Sequence, residues 1–473
     1  MRVFIVLSFL VICLDASAQS RRVAPGTVDQ SVKQSLAPEL SVKQMFDEAN
    51  GYKRTKFAEF EQKKIAYSEK LRVQTEREAK QLAAKYAAIA GARTGLAGED
   101  LYYYGLLHWI AENLDGTREG LSKYLAIEDA PTDKRQMARS VLVVISAKQR
   151  NFDDAIKYLA EYNKSGPIKL SDRSRMESEI AKAYMAEKDF AKAAPHAAEA
   201  FRASKTVIED PAARTREIDQ VLDSGMLVFE ANSGLGQIKE ADNALAEMQK
   251  TAASAGSPTL FYYAADKLIR YQIETGRKSL GLETYLNSLL SAAKDLPTPA
   301  QRNDAIARLK KREKQYKLLL EPARELPAID QWFPGSPQTL AAMRGKVVLL
   351  DFWATWCGPC FDAFPHLTEW HQDLGADGLV ILGVTRYYGR AGAMAVDNAN
   401  EIEFLKRFKA EQKLPYDFVV VQDQQAQNLY AATSLPTAVL IDRKGVIRYI
   451  ESGTSPSRLE EMREMVLKLL AEK

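Results

Sequence analysis

The chain is poor in cysteine, and this scarcity excludes a structural disulfide framework. Only three of its 473 residues are cysteine. Cys13 lies in an N-terminal segment that we expect to be removed, which leaves Cys357 and Cys360 as the thiols of the mature chain. Exported proteins that are stabilised by disulfides carry several cysteine pairs. A single pair is free to cycle between dithiol and disulfide without scrambling.

The chain also lacks an excess of charge of either sign. Its 65 Lys and Arg residues nearly balance its 62 Asp and Glu residues, so the formal net charge is only +3. Proteins that bind nucleic acid or an acidic membrane surface through electrostatics concentrate positive charge. We therefore expect no nucleic acid among the partners of this chain.

Long apolar runs are absent after the N-terminus, and the N-terminus itself is typical of a signal peptide. Arg2 precedes an apolar run from Val3 to Leu14, and the small residues Ala16-Ser17-Ala18 form a cleavage motif. The run is shorter than the ~20 residues that a membrane-spanning helix needs. We expect a signal peptide over residues 1–18 and an extracytoplasmic protein, periplasmic or secreted. The alternative is a membrane anchor formed by an uncleaved signal.

The length of the chain predicts more than one domain, because 473 residues exceed what one ordinary core accommodates. Residues 19–44 are polar and form an expected flexible lead-in. Residues 45–320 are helical nearly throughout, with apolar residues at three- and four-residue spacing. Residues 321–473 alternate between strands and helices. The predicted fold is multidomain, with an all-α domain followed by an α/β domain.

A weak internal repeat runs through the helical region. Asn151–Ala155, Asp189–Ala193 and Gln237–Ala241 each join two helical stretches, and each places an alanine three residues after an aromatic residue or isoleucine. Gly276–Leu280 is a degenerate fourth copy. The alanines are 38 and 48 residues apart, which departs from the ~34-residue period of tetratricopeptide repeats. The pattern resembles a tetratricopeptide-like α-solenoid of stacked helix pairs.

The C-terminal region predicts strands separated by helices and closed by a hairpin. Short apolar runs indicate buried strands, and amphipathic stretches between them indicate helices. The predicted strands are Val347–Trp353, Leu379–Val384, Phe418–Val421, Thr437–Ile441 and Val446–Glu451, and the predicted helices cover about 358–374, 401–412, 424–432 and 456–471.

The two remaining cysteines form the motif Cys357-Gly358-Pro359-Cys360 directly after a buried strand. This spacing holds two thiols one helical turn apart, so that they can form and break a short disulfide. The alternative is a zinc site, but two cysteines supply half of a ligand set, and neither a second pair nor a His pair follows. His366 and His371 are five residues apart and do not share a helix face. The motif therefore indicates dithiol–disulfide exchange.

The order of strands and helices, together with Trp356-Cys357-Gly358-Pro359-Cys360 and Leu435-Pro436-Thr437, resembles the thioredoxin superfamily. The inserted helix–strand unit and the predicted signal peptide are similar to its extracytoplasmic branch, the TlpA/ResA-like redoxins. The resemblance covers residues 326–473. It implies a thioredoxin fold whose redox-active centre is the Cys357–Cys360 disulfide, with no metal and no other cofactor.

The resemblance implies distinct catalytic roles for three residues. Cys357 is the nucleophile, because a helix N-terminus favours the attacking thiolate, and Cys360 is the resolving thiol. Asp351 is a buried carboxylate that assists proton transfer when Cys360 is released. The alternative is a solvated aspartate at the strand end, and the next strand, Val380–Val384, offers no lysine to pair with it.

The same resemblance implies a substrate-binding surface formed by Trp356, Gly358 and Pro359 and by the cis-proline loop Leu435-Pro436-Thr437. The alternative for Pro436 is an ordinary trans proline at a strand start. Arg386–Gly392 follows a strand at the edge where ligand-facing loops lie, and it is either a substrate-selecting loop or a flexible connector. The basic run Lys310-Lys311-Arg312 predicts a solvated helix face.

These features predict an exported thiol–disulfide oxidoreductase that reduces protein disulfides through Cys357 and Cys360. Its partners would be cysteine-containing exported proteins, and the resemblance implies a membrane electron donor of the DsbD type. The alternative is a solenoid that works as a protein-binding module, with a regulatory or disulfide-donating redox domain attached to it.

Overall fold

The computed structural model describes residues 40–472. The predicted signal peptide and nearly all of the predicted lead-in lie outside these residues. The first helix begins at Val42, three residues before the predicted start of the helical region. Ser41 caps this helix, since its hydroxyl accepts a hydrogen bond from the Gln44 amide and the Gln44 side chain accepts one from the Ser41 amide.

Thirteen α-helices precede the sheet in the part of the chain that the structure describes. They are α1 Val42–Gln62, α2 Glu69–Gly91, α3 Glu99–Ile110, α4 Leu114–Leu125, α5 Thr132–Lys148, α6 Phe152–Lys164, α7 Leu170–Ala186, α8 Phe190–Val207, α9 Pro211–Gly234, α10 Ile238–Ala255, α11 Pro258–Glu274, α12 Lys278–Asp295 and α13 Pro299–Leu318. Consecutive helices pack against each other, as in an α-solenoid, and this confirms the predicted class of the helical region.

The repeated motif marks the start of the second helix in successive pairs. Asn151 and Asp189 cap α6 and α8 through their side chains. The alanines three residues into α6, α8 and α10 (Ala155, Ala193 and Ala241) are fully buried. A small side chain at this point lets the two helices of a pair approach closely.

Helix α4 contains another copy of the motif that the sequence pattern did not reveal. Asn113 caps α4, and Thr117, which takes the place of the alanine, is fully buried. Gly281 takes the same place in α12, where an added Cβ would lie 2.7 Å from Cγ1 of Ile273. The copies differ in the small residue they use, and this hides them from a search for alanine.

The C-terminal region forms a six-stranded mixed sheet with four helices, and it confirms the predicted α/β thioredoxin-like class. The strands of the sheet, in spatial order, are β1 Ile329–Phe333, β6 Asp417–Val421, β3 Leu379–Arg386, β2 Val347–Phe352, β7 Thr437–Ile441 and β8 Ile447–Ser452. A two-stranded ribbon consists of β4 Arg390–Ala391 and β5 Met394–Ala395. The helices are α14 Gly358–Leu374, α15 Asn398–Glu411, α16 Gln425–Leu429 and α17 Pro456–Ala471.

Strand β2 is buried along its whole length because both faces of the sheet are covered. Leu349 and Trp353 point to one face and pack with residues of α14, α15 and α17. Val348, Leu350 and Phe352 point to the other face. That second face shares a hydrophobic core with α11 and α13, so the last helices of the solenoid cover one side of the sheet.

The segment between α13 and β1 follows the outer edge of β8. The Leu320 amide donates to the Ile447 carbonyl at 2.8 Å, and the Ile447 amide donates to the Glu321 carbonyl at 2.9 Å. The Ala323 amide donates to the Gly445 carbonyl at 2.8 Å. These bonds occupy an edge that would otherwise present unpaired backbone groups.

The prediction that Lys310-Lys311-Arg312 forms a solvated face is wrong for Arg312. Lys310 and Lys311 are exposed, but Arg312 is only 7% exposed. It lies on the same side of α13 as the buried Tyr316, four residues later. The run of three basic residues crosses from one side of the helix to the other, and carboxylates of the solenoid and of the sheet compensate the buried charge.

Candidate redox site

The two cysteines lie at the start of α14, where the chain leaves β2. Cys357 is the N-cap residue of α14, and Cys360 lies in its first turn. They form a disulfide with a Cα–Cα distance of 5.4 Å. Cys360 is fully buried, whereas Cys357 keeps 4% of its surface exposed. Of the two cysteines, only Cys357 therefore keeps any surface in contact with solvent.

The position of Cys357 favours its thiolate once the disulfide is reduced. The positive end of the macrodipole of the 17-residue helix α14 lies beside this residue. Pro359 is well placed in the first turn, because a proline there gives up an amide that has no partner within the helix. A stabilised thiolate is the attacking species in disulfide exchange.

Asp351 lies in β2 on the face that carries the disulfide. Side chains alternate along a strand, and its neighbours two residues away, Leu349 and Trp353, belong to the same core as both cysteines. Asp351 is 3% exposed, and burial raises its pKa to about 7. Its Oδ2 atom has no hydrogen-bond partner among the residues that the structure describes. The carboxyl group can therefore take up and release a proton near neutral pH.

The loop before β7 runs beside the same site. The Leu435–Pro436 peptide is cis, as the sequence predicts. Thr437 is fully buried, and its hydroxyl donates to the Ser434 carbonyl at 2.6 Å. Leu435 is partly buried and contacts the cores on both sides of the sheet.

Apolar side chains surround the disulfide at the surface. Trp356 is 49% exposed, and Phe361 is 37% exposed. Gly358 and Pro359 are also exposed, whereas Trp353 is fully buried in the core. The site therefore offers a partly apolar contact surface next to Cys357.

The segment after β3 is fixed against Trp356. The rings of Tyr388 and Trp356 meet edge to face, with centroids 5.3 Å apart. The Arg386 guanidinium lies 4.1 Å from the centroid of the Tyr388 ring, and Gln427 donates to the Tyr388 hydroxyl at 3.1 Å. The buried Glu401 accepts hydrogen bonds from the amides of Tyr388, at 2.9 Å, and of Gly389, at 2.8 Å.

Sequence reasoning missed the loop segment at residues 452–455, which consists of the last residue of β8 and the three residues that precede α17. The Gly453 amide donates to the Pro436 carbonyl at 2.9 Å, and the Thr454 hydroxyl donates to the Pro359 carbonyl at 3.1 Å. This loop therefore contacts both the cis-proline loop and the Cys-x-x-Cys motif. The strand order could have located it, because the β8 terminus pairs with Thr437 of β7 beside the C-terminal end of β2.

Within residues 40–472, no group of three or more His, Cys, Asp or Glu side chains could hold a metal ion. Over the same residues, no helix has the length and apolar character required to cross a membrane.

Comparison with known families identifies the C-terminal part of the chain. The family model described as Redoxin matches residues 324–466. This range contains the whole sheet, the disulfide and the cis-proline loop.

Two curated relatives are similar in sequence to part of the chain. The chain is 32% identical over 120 residues to the thiol-disulfide oxidoreductase ResA of Geobacillus thermodenitrificans, an alignment covering 25% of this chain and 62% of ResA. It is 32% identical over 132 residues to the thioredoxin-like protein YneN of Bacillus subtilis, covering 27% of this chain and 69% of YneN. The chain thus spans about three fifths of the length of ResA.

Among solved structures, a putative thiol:disulfide interchange protein DsbE from Chlorobium tepidum aligns with 29% identity and a TM-score of 0.25. The alignment covers 32% of this chain and 99% of that one. The chain belongs to the thioredoxin-like redoxin family, and its C-terminal third carries that membership.

Proposed function

We propose that the protein is a thiol–disulfide oxidoreductase that reduces disulfides in other proteins through Cys357 and Cys360. The observation that carries the proposal is the disulfide at the N-terminus of α14, in which Cys357 keeps some exposed surface and Cys360 is fully buried. The names of the relatives, which include thiol-disulfide oxidoreductases, support the same activity.

In the proposed reaction, the Cys357 thiolate attacks one sulfur of a substrate disulfide and forms a mixed disulfide, releasing the other substrate sulfur as a thiolate. The Cys360 thiol then loses its proton to the carboxylate of Asp351 and attacks the Cys357 sulfur. The second substrate sulfur leaves as a thiolate, which takes a proton from solvent. The substrate gains two electrons, and Cys357 and Cys360 return to the disulfide.

We propose that Trp356, Gly358, Pro359, Leu435, Pro436 and Thr437 form the surface on which the substrate lies. Their position next to Cys357 supports this role. An extended substrate segment could pair with the Leu435 backbone, a recognition mode that relies on main-chain hydrogen bonds. We assign the segment after β3 to substrate selection, because Tyr388 is held against Trp356.

We further propose that the substrates are cysteine-containing exported proteins and that a membrane protein of the DsbD type supplies electrons. The signal-peptide pattern over residues 1–18 supports export. A reductant in an oxidising compartment needs such a donor, because each turnover converts its dithiol to a disulfide. The competing possibility is a redox domain that donates disulfides.

The redox equilibrium of the Cys357–Cys360 pair in defined thiol buffers separates these possibilities. A reduction potential well below the ~ −180 mV of protein disulfide isomerase would support the reductase. A potential approaching the ~ −120 mV of a strong oxidant would assign a disulfide donor instead. A pair that does not cycle would contradict both and leave the solenoid as a protein-binding module.

A further inference from the structure

Two buried arginines of the solenoid bind the same carboxylate of the redoxin domain. Arg312 of α13 lies 3.1 Å, and Arg270 of α11 lies 3.2 Å, from Oε2 of Glu451 in β8. All three residues are less than 10% exposed. Each arginine has a further carboxylate partner, Asp266 for Arg312 at 3.0 Å and Glu461 of α17 for Arg270 at 3.2 Å.

These ion pairs hold both ends of the loop that contacts the redox site. Glu451 immediately precedes residues 452–455, and Glu461 belongs to α17, the helix that follows them. Lys267 adds a second contact to the same helix, with Nζ 2.9 Å from Oε1 of Glu461. The solenoid therefore binds the strand before the loop and the helix after it.

The loop itself is bonded to the solenoid and to the site. Gln315 of α13 donates to the Ser452 hydroxyl at 3.5 Å and to the Ala431 carbonyl at 3.4 Å. Gly453 and Thr454 then bind the carbonyls of Pro436 and Pro359. A continuous path of contacts leads from α13 through this loop to both halves of the substrate-binding surface.

We propose that Arg270, Arg312 and Gln315 are positioning residues: the solenoid sets the place of residues 452–455 and, through them, the geometry of the cis-proline loop. This inference rests on the proposed function, since it concerns the binding of a protein disulfide. It assigns to the solenoid a part in substrate binding without any contact between solenoid and substrate.

The physical basis is the cost of leaving a buried charge without a partner. Glu451 is held by two solenoid cations, and Arg458 of α17 lies 3.7 Å away from it. If one solenoid cation is removed, the carboxylate keeps a single solenoid partner, and we expect it to turn toward water or toward Arg458, because a buried charge that is incompletely compensated is unfavourable. Either movement shifts the loop that begins at the next residue.

The test uses the full chain with Arg312→Met, which keeps an unbranched side chain about as long as the aliphatic part of arginine and removes the guanidinium hydrogen bonds. Insulin serves as the protein disulfide, and alkylation of reduced Cys357 by iodoacetamide reports the reactivity of the thiolate by itself. We expect KM for insulin to rise about tenfold or more, because small displacements of binding groups cost such factors. We expect the alkylation rate to stay unchanged, and Arg312→Lys to restore part of the loss.

Two matched variants separate positioning from folding. Gln315→Leu removes the bonds to Ser452 and Ala431 without leaving a buried charge, so it tests the proposal even if Arg312→Met fails to fold. Arg173→Met removes a comparable ion pair within the solenoid, where Arg173 Nε lies 2.7 Å from Oε1 of the buried Glu177. We expect Gln315→Leu to raise KM and Arg173→Met to leave it unchanged.

Hydrogen exchange of the Gly453 amide provides a readout that does not depend on activity. Its bond to the Pro436 carbonyl should open more often in Arg312→Met and Gln315→Leu, with exchange faster by about tenfold. If both variants keep the KM and the Gly453 exchange of the parent, the positioning role is contradicted. If the parent does not reduce insulin at all, the proposed function fails, whereas the exchange measurement still decides on positioning.

Discussion

Arg312 of α13 and Glu451 of β8 form a buried ion pair between the solenoid and the redoxin domain, with Nη2 3.1 Å from Oε2. The pair lies beside a hydrophobic core that α11 and α13 share with one face of the sheet. The two parts of the chain therefore share one interior, although one part consists of helices and the other of a sheet with helices.

We predict that residues 321–473 are less stable alone than in the full chain. Without α11 and α13, the apolar residues of the second sheet face would meet water, and Glu451 would lose both cations. Urea unfolding of the fragment and of the full chain measures the difference in stability. Fluorescence of a dye that binds apolar surface reports whether the second sheet face is exposed. A fragment with the full chain's midpoint and no dye binding would contradict the prediction.

Asp351→Asn should change how stability depends on pH. Burial raises the pKa of Asp351 to about 7, whereas an unfolded aspartate titrates near ~4. The parent chain therefore loses stability as pH rises from ~4 through ~7, because ionisation of the buried carboxyl opposes folding, and the loss approaches roughly 4 kcal/mol. Asparagine does not ionise, so the variant lacks this part of the slope.

The measurement is the free energy of unfolding of both proteins between pH 4 and pH 8. We expect the free energy of unfolding of the variant to rise relative to that of the parent as pH increases across this range. A constant difference would show that Asp351 does not titrate there. The rate at which Cys360 resolves a mixed disulfide should also fall in the variant above pH 7, where the parent has a carboxylate available to accept the proton.

Substitution of each cysteine should stop the reaction at a different step. Cys357→Ser should abolish insulin reduction, because the remaining Cys360 is fully buried. Cys360→Ser should form a mixed disulfide with the substrate that is not resolved, because no second thiol lies within reach. Mass spectrometry under non-reducing conditions distinguishes the two. A stable adduct on Cys360 in the Cys357→Ser variant would reverse the assigned roles.

Gly120→Ala should destabilise the first part of the solenoid. A Cβ on Gly120 of α4 would lie 2.8 Å from the backbone of Gly105 in α3, and backbone cannot move aside cheaply. Overpacking of this kind costs about 1–3 kcal/mol.

Gly51→Ala is the matched control, since Gly51 lies within α1 and a Cβ there meets nothing within 4 Å. Alanine should stabilise that helix by up to about 1 kcal/mol. Thermal unfolding of the two variants should therefore shift in opposite directions. Equal shifts would contradict the close approach of α3 and α4.

Local sequence patterns were sufficient to predict the helices and strands that carry the sequence motifs. Helices α14 and α17 have the predicted bounds, because a proline opens each of them and apolar residues recur at helical spacing. The strands follow from short apolar runs and agree within a few residues. The ribbon β4–β5 was not predicted, because two-residue strands leave no periodic signal.

The sequence also revealed the redox-active pair, because its two cysteines lie close together in the chain. Cys357 and Cys360 are three residues apart, and one helical turn brings such neighbours together in any helix. The family resemblance then pointed to Asp351 and Pro436, which the fold brings to the same region. The role of Asp351 in catalysis and that of Pro436 in substrate binding are proposals, and the Asp351→Asn substitution tests the first.

By itself, the sequence determined the helical repeats, the order of strands and helices along the chain and the redox pair, because these depend on propensity and on periodicity along a few residues. Only the tertiary structure decided that Arg312 is buried, that α11 and α13 cover the sheet, and that residues 452–455 contact the site. Arg312 and Glu451 are 139 residues apart in the chain. No local pattern encodes such a pair, because the two residues meet only when the solenoid packs against the sheet.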